Sequence, residues 1–152
     1  MRKIRIAVPL LVMLCGFATI AYTKTDELPA GPIRDRHELM EGIGKNAKII
    51  GDALKAGNTT PVAGAAAKIQ ADAGKIAALF PPGSTHPKSR AKAEIWQEWP
   101  KFESNTKQLQ VNADALAAAA KDGGDVRAAA HNLFDACKSC HDQFRMPEKK
   151  KA

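Results

Sequence analysis

The chain is poor in the residues that build β-sheets. Its 152 residues include only five valines, seven threonines and eight aromatic residues. β-Branched and aromatic side chains are enriched in strands, so this scarcity argues against an ordinary β-sandwich or barrel. Alanine, the best helix former, is present in 28 copies. The composition therefore predicts an all-α domain.

Large apolar side chains are also scarce. Outside the first 22 residues only 27 remain once alanine is set aside. A body of about 130 residues suits one domain rather than two, since domains usually contain roughly 100–200 residues. With so few large side chains the core is expected to be underfilled, which leaves room for a non-protein group.

The body of the chain has no basic stripe. The formal net charge is +7, and three of the positive charges (Arg2, Lys3 and Arg5) lie in the leading segment. No run of Lys and Arg is interleaved with aromatic residues, so no nucleic-acid partner is predicted. Residues 147–152 form a basic tail that we expect to be solvated. Such a tail could steer an acidic redox partner by long-range attraction.

The one long apolar run is at the N-terminus. Basic residues precede an apolar stretch over residues 6–22, which contains a small-residue cleavage site ending at Ala21. We interpret residues 1–21 as a signal peptide for export to the periplasm, followed by a flexible segment at 22–32. The apolar run is also at the short limit for a membrane span, so an uncleaved leader would act as an inner-membrane anchor.

Four segments of the body carry helical periodicity. In each, apolar residues recur at spacings of 3 and 4, which is typical of one face of an amphipathic helix. The four apolar stripes run from Met40 to Leu54, Val62 to Phe80, Phe102 to Ala120 and Val126 to Phe144. Helices of roughly 18–22 residues with mostly short links predict an antiparallel (up-down-up-down) four-helix bundle over residues 33–146.

Residues typical of helix ends separate these segments. Thr60 before a proline predicts the N-cap of the second helix, and Asp125 predicts that of the fourth. A loop is predicted over residues 81–90, followed by a short helical stretch around residues 91–99. The residues that end the first three helices are Gly57-Asn58, Pro81-Pro82 and Gly123-Gly124.

The fourth segment contains the most specific motif of the chain, Cys137-Lys138-Ser139-Cys140-His141. A c-type haem needs two thiols for its thioether bonds and a histidine directly after them to ligate iron. Residues three apart share one face of a helix, so the two cysteines point the same way. We therefore predict one covalent haem c, attached at Cys137 and Cys140, with His141 as an axial ligand.

Three other interpretations of these cysteines compete with haem. A redox-active dithiol would be expected in a βαβ setting, which the composition does not favour. A structural zinc would need a fourth ligand, for which the scattered His37, His86 and His131 are the candidates. A disulfide across three residues of a helix would be strained. An exported protein with this motif favours haem attachment over all three.

The position of this motif in the last helix, near the C-terminus, resembles the class II cytochromes c, the family of cytochrome c-556 and cytochrome c′. The resemblance covers about Ile33 to Arg145 and implies the same haem-bearing four-helix bundle. The residues that carry it are Arg36-x-x-Leu39-Met40-x-x-Ile43-Gly44, Leu79-Phe80-Pro81, Ile95-Trp96 with Phe102, and Cys137-Lys138-Ser139-Cys140-His141-Asp142-x-Phe144-Arg145.

The resemblance implies that Met40 faces the open side of the haem, and this position divides the family. In cytochrome c-556 types, His and Met ligate a low-spin iron and the protein carries electrons. In cytochrome c′ types the iron is five-coordinate and binds nitric oxide or carbon monoxide. The residues around Met40 resemble the low-spin members, and Gly42 and Gly44 are expected to thin the helix beside it. We therefore expect a one-electron carrier with Met40 as second axial ligand and unidentified redox partner proteins. The gas-binding type is the alternative.

The resemblance also implies roles for surrounding residues. Arg36 and Arg145 are expected to pair with the haem propionates. Small residues at 64–67 and 71–74 would permit a homodimer through the first two helices, as occurs in this family. No set of residues at catalytic spacing is evident, so an enzyme is not predicted. The expected wall of the haem pocket is Phe80, Trp96, Phe102, Phe134 and Phe144.

Overall fold

The computed structural model describes residues 28–147, which contain five α-helices and no strand. The helices are α1 (Pro32–Ala56), α2 (Val62–Ala73), α3 (Glu94–Gln97), α4 (Trp99–Asp122) and α5 (Val126–Phe144), with a 3₁₀ turn at Ala77–Leu79. The long helices α1, α2, α4 and α5 form an antiparallel four-helix bundle, which confirms the predicted fold class. The expected signal peptide at 1–21, residues 22–27 and residues 148–152 lie outside the described residues.

Local sequence accounts for the ends of three long helices. Gly57 (φ +67°) and Gly123 (φ +75°) adopt the left-handed conformation just after α1 and α4. Glycine adopts this conformation without strain, and the amides that follow close each helix through hydrogen bonds of 2.9 Å. Asp125 caps α5, because its Oδ1 accepts a hydrogen bond from the Ala128 amide at 3.0 Å. These predicted ends are confirmed.

The second helix is shorter than predicted, because α2 ends at Ala73 instead of running to Phe80. Gly74 follows at a point where the chain passes close to α4, and a Cβ atom there would lie 3.0 Å from Nε2 of Gln110. The chain continues through turns and the 3₁₀ turn, yet Ile76 and Phe80 stay buried. The apolar stripe therefore predicted the burial but not the end of the helix.

The predicted N-cap at Thr60 is also wrong. Pro61 occupies the N-cap position of α2, and no side chain caps that end. The Thr60 amide instead donates to Oδ1 of Asn58 at 3.0 Å. Such a side-chain turn closes the short link between α1 and α2 locally, so the link does not require a threonine cap.

The long helices pack unevenly. α1 packs on α2, α2 on α4 and α4 on α5, whereas α1 and α5 approach each other at only a few positions. The first and last helices of an up-down bundle would normally close against each other. A gap between α1 and α5 is therefore where a non-protein group would fit. The largest fully buried core side chains are Phe102, Ile50, Ile69, Ile76, Ile95, Leu116, Leu133 and Val62.

Candidate haem-binding site

The two motif cysteines lie on an apolar stripe of α5 that the protein covers incompletely. Leu133, Cys137, Cys140 and Phe144 are spaced 4, 3 and 4 residues apart and share one helix face. Leu133 and Phe144 are 0% and 4% exposed, but both cysteines between them are only half-buried. A stripe that is buried at its ends and open in its middle fits a further group placed over the cysteines.

Burial sets the protonation of the two thiols. Desolvation raises the pKa of Cys137. It also raises the pKa of Cys140 to about 11, with a smaller contribution from neighbouring Cys137. Both side chains are therefore neutral thiols near pH 7 in the unmodified polypeptide. An uncharged pair on an apolar stripe suits the edge of a large apolar macrocycle.

His141 follows the cysteines in the last turn of α5. Partial desolvation lowers the pKa of its imidazole, and the positive charges of Arg145 and Arg90 lower it further. The ring is accordingly neutral near pH 7, which leaves a nitrogen lone pair for a metal ion. The end of α5 thus offers two thiols for thioether bonds and a neutral imidazole for the iron, the groups that a c-type haem requires.

A second partly covered stripe runs along α1. Arg36, Met40 and Ile43 share one face of this helix, and Arg36 and Ile43 are 5% and 6% exposed. Met40 between them is half-buried and packs against the core, which places it on the inward face of α1. Gly42 faces α2 and not this stripe, because the atom nearest to a Cβ at Gly42 would be Oδ2 of Asp72 on α2, at 3.9 Å. It therefore does not thin the helix face that contains Met40.

Three of the predicted wall residues form an aromatic cluster in the core. The ring centroid of Phe102 lies 4.9 Å from that of Phe80 and 5.4 Å from that of Phe144. Trp99, which was not among the predicted wall residues, adds a further ring, with its centroid 5.5 Å from that of Phe102. Its position three residues before Phe102, on the same helix face, was an available signal. The other predicted wall residues, half-buried against the core, are Trp96 and Phe134.

The two arginines expected at the propionates lie in different surroundings. The buried Arg36 guanidinium is 4.6 Å from the Phe80 ring centroid and donates hydrogen bonds to Ser84 and Ser89. Desolvation lowers its pKa. Arg145 is exposed just after α5, where its amide donates to the His141 carbonyl at 3.0 Å. Neither serine was predicted from the sequence, because polar loop residues carry no periodic signal.

The histidines considered as zinc ligands make other contacts. His37 and His131 are exposed and pair with carboxylates one turn along their own helices, at 3.4 and 2.9 Å. Nδ1 of His86 accepts a hydrogen bond from the Lys88 amide at 3.2 Å. Within residues 28–147, no group of three or more His, Cys, Asp or Glu side chains is placed to hold a metal ion.

A four-helix bundle with a Cys-x-x-Cys-His motif in its last helix defines a c-type haem protein. The sequence profile of the family described as cytochrome C′ matches residues 31–145. A cytochrome c′ of Rhodopseudomonas palustris is 32% identical over 149 residues, covering 94% of this chain and 97% of the relative.

Solved structures agree with this match. Cytochrome c′ from Shewanella frigidimarina superposes with a TM-score of 0.72 at 31% identity, covering 80% of this chain and 98% of that one. Another cytochrome c′, described as having an unusual ligand-controlled dimer dissociation, has a TM-score of 0.70 at 29% identity. It covers 76% of this chain and 95% of its own.

The chain therefore belongs to the cytochrome c′ family. It is an iron-containing haem protein with one covalently bound haem c, as its relatives are. The class II resemblance and the cofactor predicted from the sequence are both confirmed.

Proposed function

We propose that this protein is a five-coordinate haem protein of the cytochrome c′ type that binds nitric oxide or carbon monoxide. The observation that carries the proposal is the match to cytochrome c′ along residues 31–145, shared by relatives of that name. It favours the gas-binding alternative over the cytochrome c-556 electron carrier that was expected from the sequence alone. The proposed activity is reversible binding without chemical conversion, so no residue is assigned a catalytic role.

In this proposal the haem lies in the gap between α1 and α5. Cys137 and Cys140 would form the two thioether bonds, and the neutral imidazole of His141 would bind the iron. The bound haem would supply an iron atom with one open coordination position for a small gas molecule. Met40, half-buried on the inward face of α1, would face the bound haem without binding its iron. Its apolar side chain would exclude water and bulky ligands from the site.

The other predicted pocket residues support this arrangement. Trp96 and Phe134, both half-buried, would contact the haem, whereas the rings of the aromatic cluster are buried against one another in the core. Arg145 is exposed next to His141 in space and is proposed as a propionate partner. The Arg36 guanidinium donates its hydrogen bonds to two serines, so it is not assigned to a propionate.

Substitution of Met40 tests the assignment of the open position. We expect a high-spin spectrum for the reduced wild-type protein, with a shift of the main haem band on addition of carbon monoxide. Met40→Ala should leave the iron high-spin and raise the association rate constant for carbon monoxide roughly tenfold, because it removes a bulky neighbour of the binding position. Absorption spectroscopy and stopped-flow mixing measure both quantities.

Met146→Ala is the matched control for this experiment. Met146 is 42% exposed and lies beyond α5, so its replacement should change neither the spectrum nor the rate. A low-spin reduced spectrum with a Met-to-iron charge-transfer band, lost in Met40→Ala, would contradict the proposal. It would establish the electron carrier with Met40 as second axial ligand instead.

We infer that the protein is exported to the periplasm. The inference rests on the basic and apolar pattern of residues 1–21, which lie outside the described residues. Within residues 28–147, no helix has the length and apolar character needed to cross a membrane. The N-terminal residue of the mature protein distinguishes cleavage after Ala21 from a retained anchor.

We also infer a homodimer through α1 and α2. Ile49 on α1 is 44% exposed, and Gly64, Ala67 and Ala71 form an exposed stripe of small residues on α2. The relative with ligand-controlled dimer dissociation supports this inference.

Ile49→Glu should convert the dimer to a monomer in sedimentation velocity, because it places a charge in a buried contact. Val111→Glu, at a 50% exposed position of α4, is the control and should remain dimeric. A dimer that persists in Ile49→Glu would contradict this interface.

A further inference from the structure

Residues 84–92, called the strap here, lie between the 3₁₀ turn and α3, and hydrogen bonds connect the strap to α1. Arg36 of α1 donates to the Ser84 hydroxyl at 2.9 Å, to the Ser84 carbonyl at 2.7 Å and to the Ser89 hydroxyl at 2.9 Å. These acceptors are all uncharged, and no carboxylate in the described part of the chain pairs with this buried cation. Release of the strap would leave buried guanidinium donors without partners, which is strongly unfavourable.

The C-terminal end of the strap is hydrogen-bonded to the end of α5. The Lys92 amide donates to the Phe144 carbonyl at 3.0 Å, and the Met146 amide donates to the Arg90 carbonyl at 2.7 Å. The Lys92 ammonium also donates to two carbonyls in the last turn of α5, each at 3.0 Å. The Arg90 guanidinium in turn donates to the Met146 carbonyl. This end of the strap therefore closes on the turn of α5 that contains His141.

The aromatic cluster makes a second connection between the same two helices. The Arg36 guanidinium lies over the Phe80 ring, Phe80 contacts Phe102, and Phe102 contacts Phe144 near the end of α5. Both connections therefore begin at one residue of α1. Since α1 and α5 themselves approach at only a few positions, these two connections add to the direct contacts that link the helices at this end.

We propose that Arg36 is a positioning residue that sets the spacing between α1 and α5 by holding the strap, and thereby controls how closely Met40 approaches the haem. Met40 lies one helical turn after Arg36 on the same face, so a displacement of α1 at Arg36 also moves Met40. This inference rests on the function proposed above, since it concerns the same open position of the iron. It differs from the role expected from the sequence, in which Arg36 pairs with a haem propionate.

The double variant Ser84→Ala/Ser89→Ala tests the strap and leaves every proposed haem contact unchanged. Loss of two hydroxyl acceptors from a buried guanidinium should raise the open population of the strap roughly tenfold. Hydrogen exchange of the Lys92 amide reads this population, because that amide is protected only while the strap lies on α5. The association rate constant for carbon monoxide should rise about threefold, as Met40 is held less closely. Ser104→Ala, an exposed serine of α4, is the matched control and should change neither quantity.

Arg36→Met separates positioning through the strap from a direct contact with the haem. If Arg36 acts through the strap, adding both serine substitutions to Arg36→Met should not change the association rate constant further. All three substitutions remove the same connection, the one between α1 and the strap. Additive effects would overturn the proposal. So would a serine double variant that behaves like wild type while Arg36→Met alters binding.

The same measurements keep the two proposals apart. A wild-type protein that binds no carbon monoxide would refute the proposed function. The Lys92 exchange rate would then still decide whether Arg36 holds the strap, because that readout does not depend on gas binding.

Discussion

Replacement of both Cys137 and Cys140 by alanine is expected to abolish covalent haem attachment and to leave a loosely packed bundle. The stripe from Leu133 to Phe144 would then be uncovered over its half-buried middle, and α1 and α5 would face each other across a gap. If the haem covers on the order of 200 Å² of apolar protein surface, its loss would cost about 5 kcal/mol of unfolding free energy. We expect helical circular dichroism to persist with a broad, weakly cooperative thermal transition.

The single variant Cys137→Ala is the control for this experiment, because Cys140 can still form one thioether bond. It should retain the haem absorption bands and most of the cooperativity of unfolding. A double variant that lacks haem yet unfolds as cooperatively and at the same temperature as the wild type would show that the bundle does not depend on its cofactor.

Phe102→Ala is expected to cost about 3–5 kcal/mol of unfolding free energy in the haem-loaded protein. Phe102 is 2% exposed and is the member of the aromatic cluster that contacts both Phe80 and Phe144. Its truncation leaves a cavity between the 3₁₀ region, α4 and the end of α5, where neighbouring rings are held by other contacts and cannot collapse fully. Urea denaturation followed by circular dichroism measures the change.

Val111→Ala on the same helix is the matched control for Phe102→Ala. Val111 is 50% exposed, so the free energy of unfolding should change by no more than about 0.5 kcal/mol. A loss of less than about 1 kcal/mol in Phe102→Ala would contradict the central place of this ring in the core.

Several features followed from the sequence because they depend on neighbours along the chain. Alanine content and spacings of 3 and 4 predicted the helices, and Gly57, Gly123 and Asp125 marked three of their ends through backbone conformation and local hydrogen bonds. The Cys-x-x-Cys-His motif predicted the cofactor for the same reason. Its two cysteines are three residues apart, so they share one face of a helix wherever that helix lies in the fold.

Other features depend on contacts between distant residues, and only the tertiary structure decided them. The end of α2 at Ala73 reflects the approach of Gln110 at Gly74, which no local pattern contains. Arg36 meets Ser84 and Ser89 from about fifty positions away, so its burial and its hold on the strap were not predictable from periodicity.

The scarcity of large apolar side chains shows the same division. The sequence alone determined that the chain folds as helices with little to fill their core and has a motif for attaching a macrocycle. The tertiary structure decided where the filling is missing, because helix pairing buries most of the apolar stripes but leaves α1 and α5 apart. Which two helices fail to close against each other depends on the packing of the whole bundle, and no single segment of the sequence contains that information.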